Sequence, residues 1–357
     1  NNFGLVWVDD RESNSEIYFA QINRLTGKRI GKEKKIVDNE VHNLTPAIVW
    51  NGKDYGLFWS YDKSSIFFTR FNERGKKILA DKSIGVKSKG YAIHVSAVWN
   101  GEEYGVVWWD VRDAPQCNPS GTRGRAFFAR VDKNGNMIGE EIPVSDAFSN
   151  PWQDYKPLIV WDGENYAVFW NDSREGGECT GGVGYSNTYM SKVNKDGVKE
   201  LGDILLDKGT SDKSQLESVT WDGSNYVITY RGSVTRAFLA KMDTDGNTLF
   251  TNIPINTVAF GSGSQISWDG EKYYVSWGDG RDRTAETFDN IEIYYTTFDI
   301  DGNKQIPETR LTYHDAGQSN NTQIVFDKKS LGMVFFDFRD GSPQIYSAVN
   351  KRNKIGS

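Results

Sequence analysis

Short apolar runs recur along this chain at a nearly constant spacing, and the same polar punctuation follows each of them. Ala47-Ile48-Val49-Trp50, Ala97-Val98-Trp99, Leu158-Ile159-Val160-Trp161, Val219-Thr220-Trp221 and Ile266-Ser267-Trp268 each end in Trp followed by Asn-Gly or Asp-Gly, and Ile324-Val325-Phe326-Asp327 is a weaker copy. Nine residues after each of these aromatics stands another: Trp59, Trp108, Trp170, Tyr230, Trp277 and Phe335. Between the two, a turn on Asn-Gly or Asp-Gly leads into Tyr55, Tyr104, Tyr166, Tyr226 or Tyr273. Gly at that position accepts the positive φ a two-strand turn demands, so each pair of runs predicts a β-hairpin.

A third alternating run follows each hairpin, as in Ile66 to Phe71, Ala126 to Val131, Phe238 to Met242 and Ile293 to Phe298. It closes on a second Gly turn such as Asp132-Lys133-Asn134-Gly135-Asn136, and a more polar fourth run leads into the next copy. Four strands per repeat, repeated every 47 to 62 residues or about that, cannot bury their faces alone and predict the blades of a propeller. The expected fold class is therefore all-β: one seven-bladed β-propeller domain over 1–357, with four-stranded antiparallel blades at approximately 1–40, 41–88, 89–148, 149–210, 211–258, 259–314 and 315–357. The first and last blades are expected to be incomplete. Gly4-Leu5-Val6-Trp7 matches second strands with no first strand before it, and Lys354-Ile355-Gly356-Ser357 matches only the opening of a fourth. Two readings of these ends stand: a ring with two partial blades, or a chain cut from a longer surface protein whose open edges take further domains or subunits.

Composition agrees with many short strands and tight turns: aromatics are 13%, with 36 Gly against 9 Pro. The net charge of -6 supplies no basic stripe for phosphates and argues against nucleic-acid binding. No apolar run approaches the roughly 18 residues a membrane-spanning helix needs. Cys117 and Cys179 fall in the same loop of adjacent repeats. That placement predicts a disulfide between neighbouring blades and an oxidising compartment, the alternative being two unpaired surface thiols. Asn43, Asn171 and Asn320 each open an N-x-S/T sequon, relevant only in a glycosylating host.

The sharpest motif follows the second-strand aromatic. It reads Trp7, Asp9, Arg11, Glu12; Trp108, Asp110, Arg112, Asp113; Trp170, Asp172, Arg174, Glu175; Trp277, Asp279, Arg281, Asp282; and Phe335, Asp337, Arg339, Asp340, while the second and fifth repeats depart from it. A motif carried by five copies serves the repeat before it serves a unique site. In the structural reading the Asp caps backbone donors of the next loop or pairs with an Arg where blades meet, with the aromatic packed between blades. In the binding reading, Trp, Asp and Arg line shallow pockets between blades, the aromatic face stacking on a sugar ring. The copy from Trp161 through Asp162, Gly163 and Tyr166 to Trp170, Asp172 and Arg174 resembles the tandem W-D-G…W-x-D-x-R repeats of secreted bacterial proteins. That resemblance covers nearly the whole chain. It implies a propeller and secretion, and it implies no catalytic residues, because the repeat class is largely without assigned activity.

The connections from second to third strands run long from Asp110 to Arg125, Asp172 to Asn187 and Asp279 to Asn290, which marks their face as the expected working surface. His42, His94 and His314 each precede or open a first strand and are the weak catalytic candidates; three are too few for a copper centre. No metal site is expected, and calcium is only a side reading of Asp299-Ile300-Asp301-Gly302-Asn303, whose twelfth position is Arg310 where an EF-hand needs Glu. The function expected is an extracellular or cell-surface binding module for a glycan or protein. The alternatives are a polysaccharide-cleaving lyase or glycosidase at the channel mouth, and a structural part of a larger surface assembly.

Overall fold

The structure is a computed structural model describing residues 2–12, 14–39, 41–86, 91–112, 116–117, 121–122, 124–147, 156–172, 174, 186–206, 214–232, 236–257, 261–283, 290–313, 318–327, 330–338 and 344–351, without the side chains of 116, 117, 121, 122, 261, 262, 350 and 351. It is an all-β, seven-bladed β-propeller, and no helix among the described residues is long and apolar enough to cross a membrane. Blade 1 holds β1 (Phe3–Asp9), β2 (Glu16–Ile22) and β3 (Arg29–Val37); blade 2 holds β4 (Asn43–Trp50), β5 (Tyr55–Tyr61), β6 (Ser65–Phe71) and β7 (Lys77–Ser83). In blade 3, β8 (Ala92–Trp99) and β9 (Tyr104–Asp110) are followed by a small ribbon of β10 (Gln116–Cys117) and β11 (Gly121–Thr122), then by β12 (Arg125–Val131) and β13 (Met137–Pro143). Blade 4 comprises β14 (Leu158–Trp161), β15 (Asn165–Asp172), β16 (Asn187–Asn194) and β17 (Lys199–Leu205). Blade 5 comprises β18 (Gln215–Trp221), β19 (Tyr226–Arg231), β20 (Ala237–Met242) and β21 (Thr248–Pro254). Blade 6 runs β22 (Gly261–Trp268), β23 (Tyr273–Asp279), β24 (Glu292–Phe298) and β25 (Thr309–Arg310), and blade 7 runs β26 (Ser319–Phe326), β27 (Ser330–Asp337) and β28 (Gln344–Lys351).

The strands form two compact units. One contains 2–21 and 29–206, and so nearly all of blades 1 to 4; the other contains 207–357 together with the turn at 22–28. In the second unit that turn meets blade 7, where Ser347 Oγ donates to the Gly27 carbonyl at 2.6 Å and Arg24 lies 3.6 Å from Asp327.

Each predicted hairpin forms in the predicted register. Trp50 pairs with Tyr55, Trp99 with Tyr104, Trp161 with Tyr166, Trp221 with Tyr226 and Trp268 with Tyr273. The second strands are buried almost throughout, whereas the fourth strand β7 is mostly exposed. That gradient is what a blade flanked on both faces by its neighbours produces, and it explains why second strands read as unbroken apolar runs.

Neighbouring blades interlock at the hairpin ends. In the first unit Gly4, Gly56 and Gly105 leave room for the rings of Tyr55, Tyr104 and Tyr166 of the next blade. Asn51 Nδ2 then donates to Tyr104 Oη at 2.9 Å, and Asn100 Nδ2 to Tyr166 Oη at 2.8 Å. In the second unit the same place carries charge: Tyr273 donates to Asp222 at 2.6 Å, and Lys241 reaches that carboxylate at 3.0 Å.

The turns after third strands follow one pattern. Asp132, Asp243 and Asp299 each accept, through Oδ1, the backbone N–H groups two and four residues on. Asp299 Oδ2 also accepts from Asn303 Nδ2 and Gln305 Nε2, the side-chain-to-backbone chemistry of a hairpin turn.

Candidate functional site

The recurring aromatic-x-Asp-x-Arg motif closes one end of each blade that carries it. At the end of β9, Trp108 Nε1 donates to Asp110 Oδ2 at 3.1 Å, the Arg112 backbone N–H donates to Asp110 Oδ1 at 2.8 Å, and the Arg112 guanidinium returns to Asp110 Oδ2 at 2.6 Å. One carboxylate thus caps the strand, fixes the indole and holds the Arg. Blade 4 repeats this with Trp170, Asp172 and Arg174, and blade 6 with Trp277, Asp279 and Arg281.

Each of the four described Arg residues of the motif has a second acid and an aromatic floor, both from its own blade. Arg112 bonds to Glu141 of β13 and lies 4.2 Å from the Phe127 ring centroid; Arg174 bonds to Asp203 of β17 over Tyr189; Arg281 bonds to Glu308 beside β25 over Tyr294. In blade 1, Arg11 bonds to Glu33 of β3 and lies 4.7 Å from the Tyr18 centroid. The final acid of the motif is also placed in two copies, where Glu12 and Asp282 accept the hydroxyls of Tyr18 and Tyr294. Sequence reasoning missed the fourth-strand acids because they lie 22 to 29 residues beyond the Arg. Their recurrence in or beside the polar last strand of four copies, as Glu33, Glu141, Asp203 and Glu308, was the signal that would have found them.

This geometry corrects two expectations. The Arg does not pair where blades meet but within its blade. Trp108, Trp170 and Trp277 are fully buried beside Asp110, Asp172 and Asp279, so none of these indoles has a face to offer a sugar, and their ring partners are Phe127, Tyr189 and Tyr294 of the same blade. Trp7, Asp9 and Arg11 are the open copy, with the Arg11 side chain 46% exposed. The hydrogen bond from Arg11 is the main reason that the Asp9 carboxyl is lowered to about 2. Asp337 accepts from Ser319 Oγ at 2.9 Å, while Arg339 lies outside the described residues. Blade 2 has lost the motif and substitutes Asn43, which accepts from Trp59 Nε1 at 2.9 Å. Asn43 and Asn171 are fully buried, which closes both sequons.

His42 Nδ1 lies 2.9 Å from Ser15 Oγ, and the His94 backbone N–H donates to Thr45 Oγ1 at 3.2 Å. His314 lies outside the described residues, as do Cys179 and the side chain of Cys117, so the expected disulfide falls outside them too. Among the described residues no group of three or more His, Cys, Asp or Glu is placed to hold a metal ion.

First strands carry a bulge at one shared place. Thr45, His94 and Asn321 have φ of 50°, 59° and 51°, and Gly263 has 66°. The strands slip there between Leu44 and Ala47, Ile93 and Ser96, Asn320 and Gln323, and Ser262 and Gln265, two residues facing one as in any bulge. In β18 the bulge position is Glu217, whose carboxylate accepts the N–H groups of Gly263 and Ser264 at 2.9 Å each and the Ser264 hydroxyl. Burial pushes its carboxyl up despite those donors. No other described residue of β18, β22 or β26 is an Asp or Glu, so it has no second carboxylate on those strands.

The fold and its pinned strand ends define a β-propeller carrying an intrablade Trp–Asp–Arg lock. No family model and no curated protein matches the sequence. Solved structures share the fold at low identity. One is a protein of unknown function from Dyadobacter fermentans, 10% identical with a TM-score of 0.55, the match covering 86% of this chain and 94% of that one. Another is the subtype N10 neuraminidase-like protein of A/little yellow-shouldered bat/Guatemala/060/2010, 10% identical with a TM-score of 0.52 over 86% of this chain and 94% of that one. A third is the acylaminoacyl peptidase of Pyrococcus horikoshii, 14% identical with a TM-score of 0.54; the match takes in 98% of this chain and half of the peptidase. At these identities the likeness is one of fold alone.

Proposed function

We propose that this chain is a binding module of the cell exterior, secreted or surface-held, that recognises a glycan or a protein through the face on which its long second-to-third-strand connections lie. The observation that carries the reading is the hydrogen-bonded closure of their roots. The connections starting at Asp110, Asp172 and Asp279 leave strand ends pinned by the same capped, two-acid Arg lock. Variable connections on a fixed frame are how many scaffolds divide specificity from stability. Location outside the cell rests on the likeness of the Trp161–Arg174 segment to repeats of secreted bacterial proteins, and it predicts a Cys117–Cys179 bridge, which mass spectrometry of unreduced peptides tests.

The deciding experiment applies the purified protein to a broad glycan array and measures bound and cleaved polysaccharide in the same samples, with and without chelator. Binding that disappears when 113–123 and 176–185 are replaced by short Gly-Ser turns supports the reading. Cleavage overturns it.

A further inference from the structure

Nearly every aromatic side chain among the described residues is buried or half-buried, and two are exposed: Tyr91 at 46% and Tyr313 at 68%. Both lie in connections from a last strand to the next first strand, at the end of the blade where the second-to-third-strand connection starts. The Tyr91 carbonyl accepts there from the Val111 backbone N–H, and Arg310, beside Tyr313, reaches Asp282 at 3.2 Å, just inside the connection from Asp279 to Asn290. Tyr313, the more open ring, is also fixed in place. Its hydroxyl donates to the Arg310 carbonyl at 3.1 Å, and the Arg310 guanidinium lies over the ring, 4.9 Å from its centroid. That guanidinium is itself held, donating to the Thr312 carbonyl at 2.7 Å and to Glu292 at 2.7 Å. An exposed ring whose rotamer is already set loses little freedom when a ligand covers it.

We propose that Tyr313, Asp282 and Arg310 form a subsite for one neutral hexopyranose ring of an oligosaccharide, a proposal that rests on the reading of this face as a binding surface. Arg310 covers one side of the Tyr313 ring, and the other side is open to stack on the C–H face of a pyranose. Asp282, with its side chain 33% exposed, offers carboxylate oxygens to the sugar hydroxyls, and the Arg310 guanidinium offers donors. Charge selects against an anionic sugar. Arg310 is shared by two carboxylates, Asp282 and Glu292, while Arg281 and Lys304 are matched by Asp279 and Glu308, which leaves the acids one ahead. A uronate or sialic acid would add a further negative charge there, and a neutral ring adds none. Because the Tyr313 hydroxyl is turned to the backbone, the ring and not the phenol makes the contact.

The probes are soluble hexasaccharides of glucose, mannose and galactose in α and β linkage, with oligogalacturonate and sialyllactose as anionic counterparts, titrated into the whole chain by calorimetry. A neutral hexasaccharide is expected to bind, more tightly than either anionic sugar. Tyr313→Ala is expected to weaken that binding roughly tenfold or more, and Tyr313→Phe by no more than about twofold, which also shows that the fold is intact. Asp282→Asn is expected to weaken it roughly fivefold. Undiminished binding by Tyr313→Ala or by Asp282→Asn overturns the subsite and leaves the binding reading of the face in place. Equal losses in Tyr313→Phe and Tyr313→Ala, preference for an anionic sugar, or no binding by any neutral hexasaccharide overturns it as well. The wider reading is decided separately, by the glycan array and the replacement of 113–123 and 176–185.

Discussion

Replacing Arg112 by Met asks whether the Trp–Asp–Arg motif is a lock or a ligand pocket. The Arg112 side chain is 8% exposed, and its partners Asp110 and Glu141 are 0% and 4% exposed. Met keeps an unbranched stem over the Phe127 ring and removes the charge, leaving two carboxylates buried beside each other. Breaking a buried ion pair from one side costs about 3–5 kcal/mol. If the unit holding blade 3, of roughly 200 residues, melts cooperatively, that corresponds to a fall in Tm on the order of 10 °C. Arg11→Met is the internal control: its side chain is 46% exposed, so its pair is screened by water and its loss costs ~1 kcal/mol or less. Scanning calorimetry and urea unfolding followed by Trp fluorescence at pH 7 measure both variants. An Arg112→Met protein that melts within about 2 °C of the parent, or falls no further than Arg11→Met, refutes the reasoning.

Gly56→Ala places a methyl group 2.7 Å from Tyr104 Oη and 2.8 Å from Cε1, and that ring is fully buried and tied to Asn51. Overpacking there is expected to cost about 1–3 kcal/mol in urea unfolding. Asp9, lowered to about 2 by Arg11, contributes stability that is complete above the ordinary carboxylate range and is lost as the pH falls through about 2; a carboxyl ¹³C titration shows that midpoint, and Arg11→Met returns it toward 3.8. Glu217 is raised, so folding favours its protonated form, and its contribution is present at low pH and lost as the pH climbs through the folded value. The same titration is expected to show its midpoint above 4.5.

How far the site was legible follows from distance along the chain. Asp110 and Arg112 are two residues apart, and the spacing alone suggested a capped loop with a bound Arg. Glu141, the acid that completes the lock, is 29 residues from Arg112. It reaches Arg112 only because β12 turns back through Asn134-Gly135 and lays β13 alongside. The bulges at Thr45, His94 and Asn321 were invisible for a different reason: none of the three is Gly, and their positive φ is imposed by the pairing of the strand around them.

The sequence by itself determined the blade. Alternation, Gly turns and the nine-residue aromatic interval are local properties, and they set strand number, hairpin register and the repeat without reference to anything distant. Tertiary structure decided what the recurring residues do. Whether a Trp faces solvent or lies beneath its neighbours depends on strands from elsewhere in the chain, and that packing removed Trp108, Trp170 and Trp277 from the candidate binding surface.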